Sequence, residues 1–321
     1  MSETWLGIDI GGTSTRLLTL RGDEWGGFQK VPTASWATMP DALGALAGLI
    51  KAVLVEQKVS GVMLGLPGIL SRNRQQVISL PFIQALNNIH VAARLSEMTG
   101  VPVAMDKDVN HLMLWDLLQL EQMPDNAVGL YLGTGMGNSL WVNGQFYHGE
   151  HGGAGEIGHI PWADNDLPCP CGNQGCAETL TSGHWLSQWA QRNVPHTDMS
   201  QLFTLYGNHS ELQQFVTRLA KIIASEMNIL DPQYLILGGG VLAMNDFPLA
   251  WLQNQIERYL RPPVTRSELK IIISHATDQT GGRGARGVAA PPRGRGGAPV
   301  WPPRAGSGGA YERKSVCFWL V

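Results

Sequence analysis

The sequence predicts an α/β protein of two similar domains facing each other across a cleft, and three features carry that prediction. The chain of 321 residues is too long for one small core and suits two α/β domains of ordinary size. An apolar strand that ends in a glycine turn and runs into a hairpin occurs at residues 5–20 and again at 127–148. Helical and strand patterns alternate after each of them, the order expected of a layered α/β domain. The expected domains are 1–118 and 119–280, followed by a segment of different character at 281–321.

In the first half, residues 5–10 form an apolar strand closed by Gly11-Gly12-Thr13. Residues 15–20 follow at hairpin distance, and 25–31 form a third strand. Leu43, Leu46, Leu49, Ile50, Val53 and Leu54 keep helical spacing after Pro40 and Asp41. Residues 61–66 read as a short buried strand, 91–99 as a helix, and 101–105 as a strand running into Asp108. In the second half, 127–132 is an apolar strand that ends in Gly133-Thr134-Gly135. Residues 139–142 and 145–148 flank Asn143-Gly144, a strong hairpin signal. Helices are expected at 183–192, 210–228 and 248–260. A strand at 234–237 is capped by Gly238-Gly239-Gly240.

Composition narrows the function classes. A formal net charge of -3 gives no basic footprint for nucleic acid. The first seven residues lack a charged start followed by an apolar run, so no signal peptide is expected. The longest apolar segment, 42–55, is broken by Gly44, Gly48 and Lys51 and is too short for a bilayer. A cytoplasmic protein with no membrane partner is the expectation. From 281 to 310 nearly every residue is Gly, Pro, Arg, Ala, Val, Trp or Ser, none is acidic, and no period is present. That composition does not bury enough surface to offset ordering entropy and reads as disordered. Its five arginines carry little weight for RNA binding.

Two glycine turns point to phosphate. In Asp9-Ile10-Gly11-Gly12-Thr13 the glycines let backbone N–H groups approach phosphate oxygens, Thr13 adds a hydroxyl, and Asp9 suits Mg²⁺. Taken alone, the motif fits a tight hairpin with a capping Asp equally well. Gly133-Thr134-Gly135-Met136-Gly137 repeats the device at the matching place, which strengthens both. Neither has dinucleotide or Walker spacing, because each leads into a hairpin and not a helix. The third turn, Gly238-Gly239-Gly240, is open enough for an adenine; it also suits a plain strand-to-helix connection.

Asp108, in Lys107-Asp108-Val109-Asn110, suits either a base that takes the proton of an attacking hydroxyl or a helix N-cap. Three of the four cysteines, Cys169, Cys171 and Cys176, fall within eight residues. With His159 they make a closed set of three thiolates and one imidazole of the kind structural Zn²⁺ prefers. Glu156 and Glu178 bracket this segment. Their carboxylates, with His159, can accept vicinal hydroxyls, although surface glutamates are commonly unrelated to sugars. His111, His148, His151 and Cys317 are given no role.

Together these motifs resemble, in unbroken order over residues 5–281, those of the ROK family of repressors, open reading frames and kinases. The resemblance rests on Asp9-Ile10-Gly11-Gly12-Thr13, Gly65-Leu66-Pro67-Gly68, Lys107-Asp108-Val109-Asn110, Leu132-Gly133-Thr134-Gly135-Met136-Gly137 and Gly155-Glu156-Ile157-Gly158-His159. It rests further on the segment from Cys169 to Glu178 and on Asp231-Pro232 through Gly240. It implies an actin-like ATPase (ribonuclease H-like) fold of duplicated domains and an ATP-dependent hexokinase acting at the 6-hydroxyl of a free hexose.

By resemblance Asp108 is the catalytic base. Lys107, Asn110, Glu156, His159, Glu178, Gly65 and Pro67 contact the sugar. Asp9, Gly11, Gly12, Thr13, Gly133, Thr134, Gly135, Gly238 and Gly239 hold ATP with Mg²⁺. His159, Cys169, Cys171 and Cys176 hold zinc, and a homodimer is implied.

The chain departs from the family pattern in two places. Lys107 stands where Asn is usual before the base, which looks like the D-allose kinase branch, as does the wording of residues 131–137. Leu80-Pro81-Phe82-Ile83 replaces the usual Asn-Leu-Pro segment. Allose is the first expected substrate, followed by glucose, fructose or an N-acetylhexosamine. After Asp278-Gln279-Thr280-Gly281 the usual Ala/Gly-rich helix gives way to the Gly/Arg/Pro stretch, which reads as a shifted reading frame that intact mass and resequencing would test. A repressor would place a winged helix-turn-helix ahead of Asp9, for which the residues before it leave no room. A sugar-binding sensor that has lost catalysis is the remaining alternative.

Overall fold

The computed structural model describes residues 4–21 and 24–274. The expected tail at 281–321, Cys317 and the segment at 278–281 lie outside the described residues. The strands are β1 (Thr4–Ile10), β2 (Ser14–Arg21), β3 (Glu24–Pro32), β4 (Gly61–Leu66), β5 (Ile69–Leu70), β6 (Val77–Ser79), β7 (Val103–Lys107), β8 (Ala127–Leu132), β9 (Met136–Val142), β10 (Gln145–Phe146), β11 (Tyr234–Gly238) and β12 (Lys270–Ile273). The helices are α1 (Ala34–Ala37), α2 (Ala42–Glu56), α3 (Val91–Thr99), α4 (Asp108–Leu118), α5 (Glu178–Thr181), α6 (Gly183–Asn193), α7 (Leu202–Tyr206), α8 (Ser210–Leu230), α9 (Leu249–Tyr259) and α10 (Val264–Glu268).

The described residues divide into two compact units, 4–119 with 149–153, and 120–148 with 154–274. The duplication read from the sequence is visible in their sheets. One sheet has the order β3-β2-β1-β4-β7 and the other β10-β9-β8-β11-β12. In each, an antiparallel hairpin flanks a strand whose other neighbour is parallel. Parallel strands need faces covered by helices, and the burial follows. All six residues of β4 and all six of β8 are buried. The first core joins Leu6, Ile8 and Ile10 to Leu46, Ile50 and Leu95 of α2 and α3. The second joins Leu130, Leu132, Leu235 and Leu237 to Phe215, Leu219 and Ile223 of α8.

Local chemistry accounts for the boundaries. Asp41 accepts the Gly44 N–H at 2.8 Å and starts α2. Asn143 and Gly144 take φ of 53° and 74°, the pair of left-handed residues a type I′ hairpin turn requires. Strand β7 runs two residues later than the sequence pattern suggests. Pro102 has no N–H to give the ladder, and the Val103 N–H goes to Ser96 Oγ at 2.9 Å. Strand β9 begins at Met136, directly after the glycine turn, because Leu132 and Met136 already pair. Strand β12 carries too short an apolar run to be singled out from sequence. Among the described residues no helix is long and apolar enough to cross a membrane.

Candidate functional site

In the first unit, three neighbouring parallel strands deliver the candidate site residues to one end of their sheet. In register, Asp9 lies beside Gly65, and Gly65 beside Asp106. The Gly11–Thr13 turn follows β1, Pro67 follows β4, and Asp108 opens α4 after β7. Gly65 itself is buried within β4, whereas Gly12 and Thr13 are exposed.

Side chains fix the base of this turn. Thr33 Oγ donates to the Gly11 carbonyl at 2.6 Å, and the Thr33 N–H donates to the Thr13 carbonyl at 3.0 Å. Buried Trp36 donates its indole N–H to Thr15 Oγ at 2.9 Å. Arg16, directly across the hairpin from Asp9, donates to its carboxylate at 2.9 Å. Phe82 lies over Gly12, where a Cβ would come 3.0 Å from the ring. Among the described residues the amides of Gly12 and Thr13 take no protein acceptor, which suits them to phosphate oxygens.

Asp108 is the first residue of α4 and its carboxylate accepts the Val109 N–H at 2.8 Å, while Lys107 occupies the cap position. The N-cap place expected for Asp108 falls instead to Lys107, which keeps the extended backbone (φ -62°, ψ 138°) while Asp108 is already helical. Lys107 and Asn110 are buried, and Asn110 Nδ2 donates to Asp106 at 3.0 Å. Asp106 also pairs with Arg74 at 2.9 Å. Asp106, Arg74, Arg16 and Thr33 escaped the sequence reading. Asp106 immediately precedes the Lys107–Asn110 motif, but nothing in the sequence brings Arg74 to it.

In the second unit, the Gly133–Gly135 turn is anchored by backbone and one carboxylate. The N–H groups of Gly183 and His184, at the start of α6, donate to the carbonyls of Gly133 and Thr134, both at 2.9 Å. Glu178 accepts the Met136 N–H at 2.7 Å. Among the described residues the amides of Thr134 and Gly135 take no protein acceptor. Gly238 and Gly239 are packed closely: a Cβ on Gly238 would meet Tyr131, and one on Gly239, whose φ is 97°, would meet the Leu132 backbone. Close approach of strand ends thus explains these two glycines, while Gly240 is exposed.

The ligand atoms of His159, Cys169, Cys171 and Cys176 all lie within 4.8 Å of one another. Cys171 and Cys176 sulfurs are 3.7 Å apart, and Cys169 Sγ is 3.6 Å from His159 Nδ1. A zinc tetrahedron with Zn–S of about 2.3 Å and Zn–N of about 2.0 Å has edges of about 3.8 and 3.5 Å, so the donors fit that ion. Burial, with the neighbouring thiols, pushes the Cys176 thiol up to about 12. The loop is built to close: Cys169 N–H bonds Asn173 O, and Gly172 and Gly175 take φ of 98° and 75°.

His159 turns its other nitrogen, Nε2, toward Glu156 at 3.9 Å, the carboxylate–imidazole arrangement common beside metal centres. Glu178 begins α5 two residues after Cys176. Gly158 fits between Met136 and Glu178, with a Cβ there 3.2 and 3.4 Å from their side chains. One knuckle thereby sets Glu156, His159 and Glu178 around the second glycine turn.

The sequence profile of the ROK family matches residues 5–290. A glucokinase of Halalkalibacterium halodurans is 29% identical over 300 residues, covering 82% of this chain and 88% of that one. An N-acetyl-D-glucosamine kinase of Yersinia pseudotuberculosis is 29% identical over 262 residues, 74% of this chain and 84% of that one. The crystal structure of a ROK family glucokinase from Streptomyces griseus, in complex with glucose and AMPPNP, superposes with a TM-score of 0.71 at 22% identity, covering 87% and 96%. That likeness speaks for the fold, which is of the actin-like ATPase type. With the profile spanning most of its length, the chain belongs to the ROK family.

Proposed function

We propose that the chain is an ATP-dependent hexose kinase. Asp108 takes the proton of a sugar hydroxyl, expected to be the 6-hydroxyl. The freed oxygen attacks the γ-phosphorus of ATP, and the bond to the β-γ bridging oxygen breaks to release ADP. One observation carries this reading: β1 and β7, parallel strands of one sheet on either side of β4, lead at the same end into the Gly11–Thr13 turn and into Asp108. Catalytic groups at the carboxyl ends of adjacent strands are the usual arrangement of an α/β site.

The amides of Gly12, Thr13, Thr134 and Gly135 would hold phosphate oxygens, and Asp9 would hold Mg²⁺. That ion supplies charge neutralisation as the phosphoryl group transfers. Glu156 and Glu178 would accept hydrogen bonds from sugar hydroxyls, and His159, bound to the metal through Nδ1, would donate its Nε2–H, all from positions fixed by the zinc knuckle. Lys107, beside the base, favours D-allose as the first substrate to try. The names of the relatives support glucose and N-acetylglucosamine as the next. A homodimer in the cytoplasm completes the proposal.

The test is a coupled ADP-release assay over a panel of hexoses. Sugar-dependent turnover is expected, falling by about 10²- to 10⁴-fold in Asp108→Asn. A folded, zinc-loaded protein that turns over no hexose would overturn the reading and favour a sugar sensor.

A further inference from the structure

The β5–β6 hairpin carries two arginines with contrasting surroundings. Arg72 is exposed and pairs with exposed Glu150. Arg74, in the left-handed region at φ 56°, turns inward, and its side chain is only 12% exposed. Its Nε stands 2.9 Å from Asp106 Oδ1, and its Nη1 donates to the carbonyls of Leu70 and Ser71 at 3.3 and 3.4 Å. The hairpin is stiff, because Ser71 Oγ accepts the N–H groups of Gln75 and Gln76, and Val77 N–H bonds Ile89 O.

Asp106 Oδ1 is a hub. It faces Arg74 and accepts the Lys107 N–H at 2.8 Å and Asn110 Nδ2 at 3.0 Å. It therefore ties the last residues of β7 to the first turn of α4, on either side of Asp108. His111 is buried beside the pair, and burial lowers it to about 4, so at neutral pH it adds no cation there. A buried charge is tolerated when paired and hydrogen-bonded, and removing one partner leaves the other uncompensated.

We propose that Arg74 is a positioning residue that, through Asp106, holds the Lys107–Asp108 turn in its working geometry. The inference rests on the reading of Asp108 as the base. Catalytic groups must be held within about half an ångström by their supporting contacts, and a displacement of about 1 Å costs on the order of 10²-fold. Arg74 touches neither substrate in this scheme, so its loss should appear chiefly in kcat, with any rise in KM confined to the sugar that Lys107 and Asn110 contact.

The test compares Arg74→Met, Arg74→Lys, Asp106→Asn and the double variant Arg74→Met/Asp106→Asn with the full-length wild-type chain. Two readouts are taken: steady-state kinetics with hexose and Mg-ATP, and hydrogen–deuterium exchange of the peptide spanning 105–112. Arg74→Met is expected to lower kcat by roughly 10- to 100-fold with the KM for Mg-ATP within about twofold. Arg74→Lys should recover part of that loss, and the double variant should fall no further than the worse single. Exchange at 105–112 should quicken by about tenfold in Arg74→Met.

Wild-type kcat and unchanged exchange in Arg74→Met would overturn the proposal, as would losses that multiply in the double variant. Should the wild type phosphorylate no hexose, the kinase reading fails while the exchange arm still decides the brace: faster exchange supports it and unchanged exchange overturns it. Should Arg74→Met fail to fold, Arg74→Lys and Asp106→Asn carry the same two readouts.

Discussion

The two glycine turns occupy the same place in two sheets of the same order, yet they are held by different means. The turn at Gly11–Thr13 depends on side chains: the Thr33 hydroxyl, the Trp36–Thr15 bond and the Arg16–Asp9 pair. The turn at Gly133–Gly135 depends on the backbone amides of α6 and on Glu178, which the cysteine knuckle places. Topology fixes where each glycine turn lies, and the anchor is free to diverge. The buried ionisable groups differ in the same way. The first unit buries His111, lowered to about 4, and the second buries Glu226, raised to about 7, each chiefly by burial. His111 is thereby neutral at pH 7 and Glu226 protonated below it, so the two respond to pH in opposite senses.

The largest expected effect breaks the comparison at the knuckle. Cys176→Ser should lose the metal and destabilise the second unit by more than ~3 kcal/mol, since binding energy of a structural ion is folding energy. Metal content by elemental analysis and hydrogen exchange resolved by unit would check it. Exchange of the Gly11–Thr13 turn should stay unchanged, and a matching loss there would show that the two anchors are not independent.

Next in size is the pH response. Glu226 has its folded value raised above the ordinary 4.5, so the native state holds the extra proton between about pH 4.5 and 7. Stability from this group is full below that window and is lost as pH rises through it, on the order of 3 kcal/mol. Its Oε2 accepts from Asn138 Nδ2 at only 3.3 Å, a weak compensation for the charge. His111 works the other way: the unfolded chain binds the proton first, so stability is lost as pH falls from about 6.5 to 4. Glu226→Gln should raise the Tm at about pH 8 and leave it nearly unchanged at about pH 4.5, whereas His111→Gln should flatten the acid side. Melting curves across pH would check both, and a Glu226→Gln variant with the wild-type slope would refute the assignment.

The smallest effect tests the first anchor. Thr33→Val removes the 2.6 Å bond to Gly11 O and leaves Thr15 Oγ without that neighbour. It should cost about 1–2 kcal/mol in chemical denaturation and raise the KM for Mg-ATP more than that for the sugar.

Much of the architecture was legible because it depends on contacts near in sequence. The strand at 61–66 and the helix at 91–99 are found where the apolar pattern puts them, and Asn143-Gly144 turns as its residue types require. The cysteine cluster was legible for the same reason: three ligands lie within eight residues, and only His159 comes from farther off. Less was legible where a residue serves two purposes. Gly65 reads as a member of a substrate motif but is interior to β4, and Gly238 and Gly239 are needed for close packing on Tyr131 and Leu132.

By itself, then, the sequence determined the repeated α/β order, the two turns and the His159–Cys169–Cys171–Cys176 cluster, and it singled out Asp108 as the candidate base. These follow from residue type, short spacing and hydrophobic period. Only the tertiary structure decided what surrounds them. It brought Arg74 to Asp106 across 32 positions, Glu178 to Met136 across 42, and Asn138 to Glu226 across 88. Such pairings depend on which strands neighbour one another and which helix faces are buried, and no local pattern encodes them, because the free energy that selects them comes from closing the whole core.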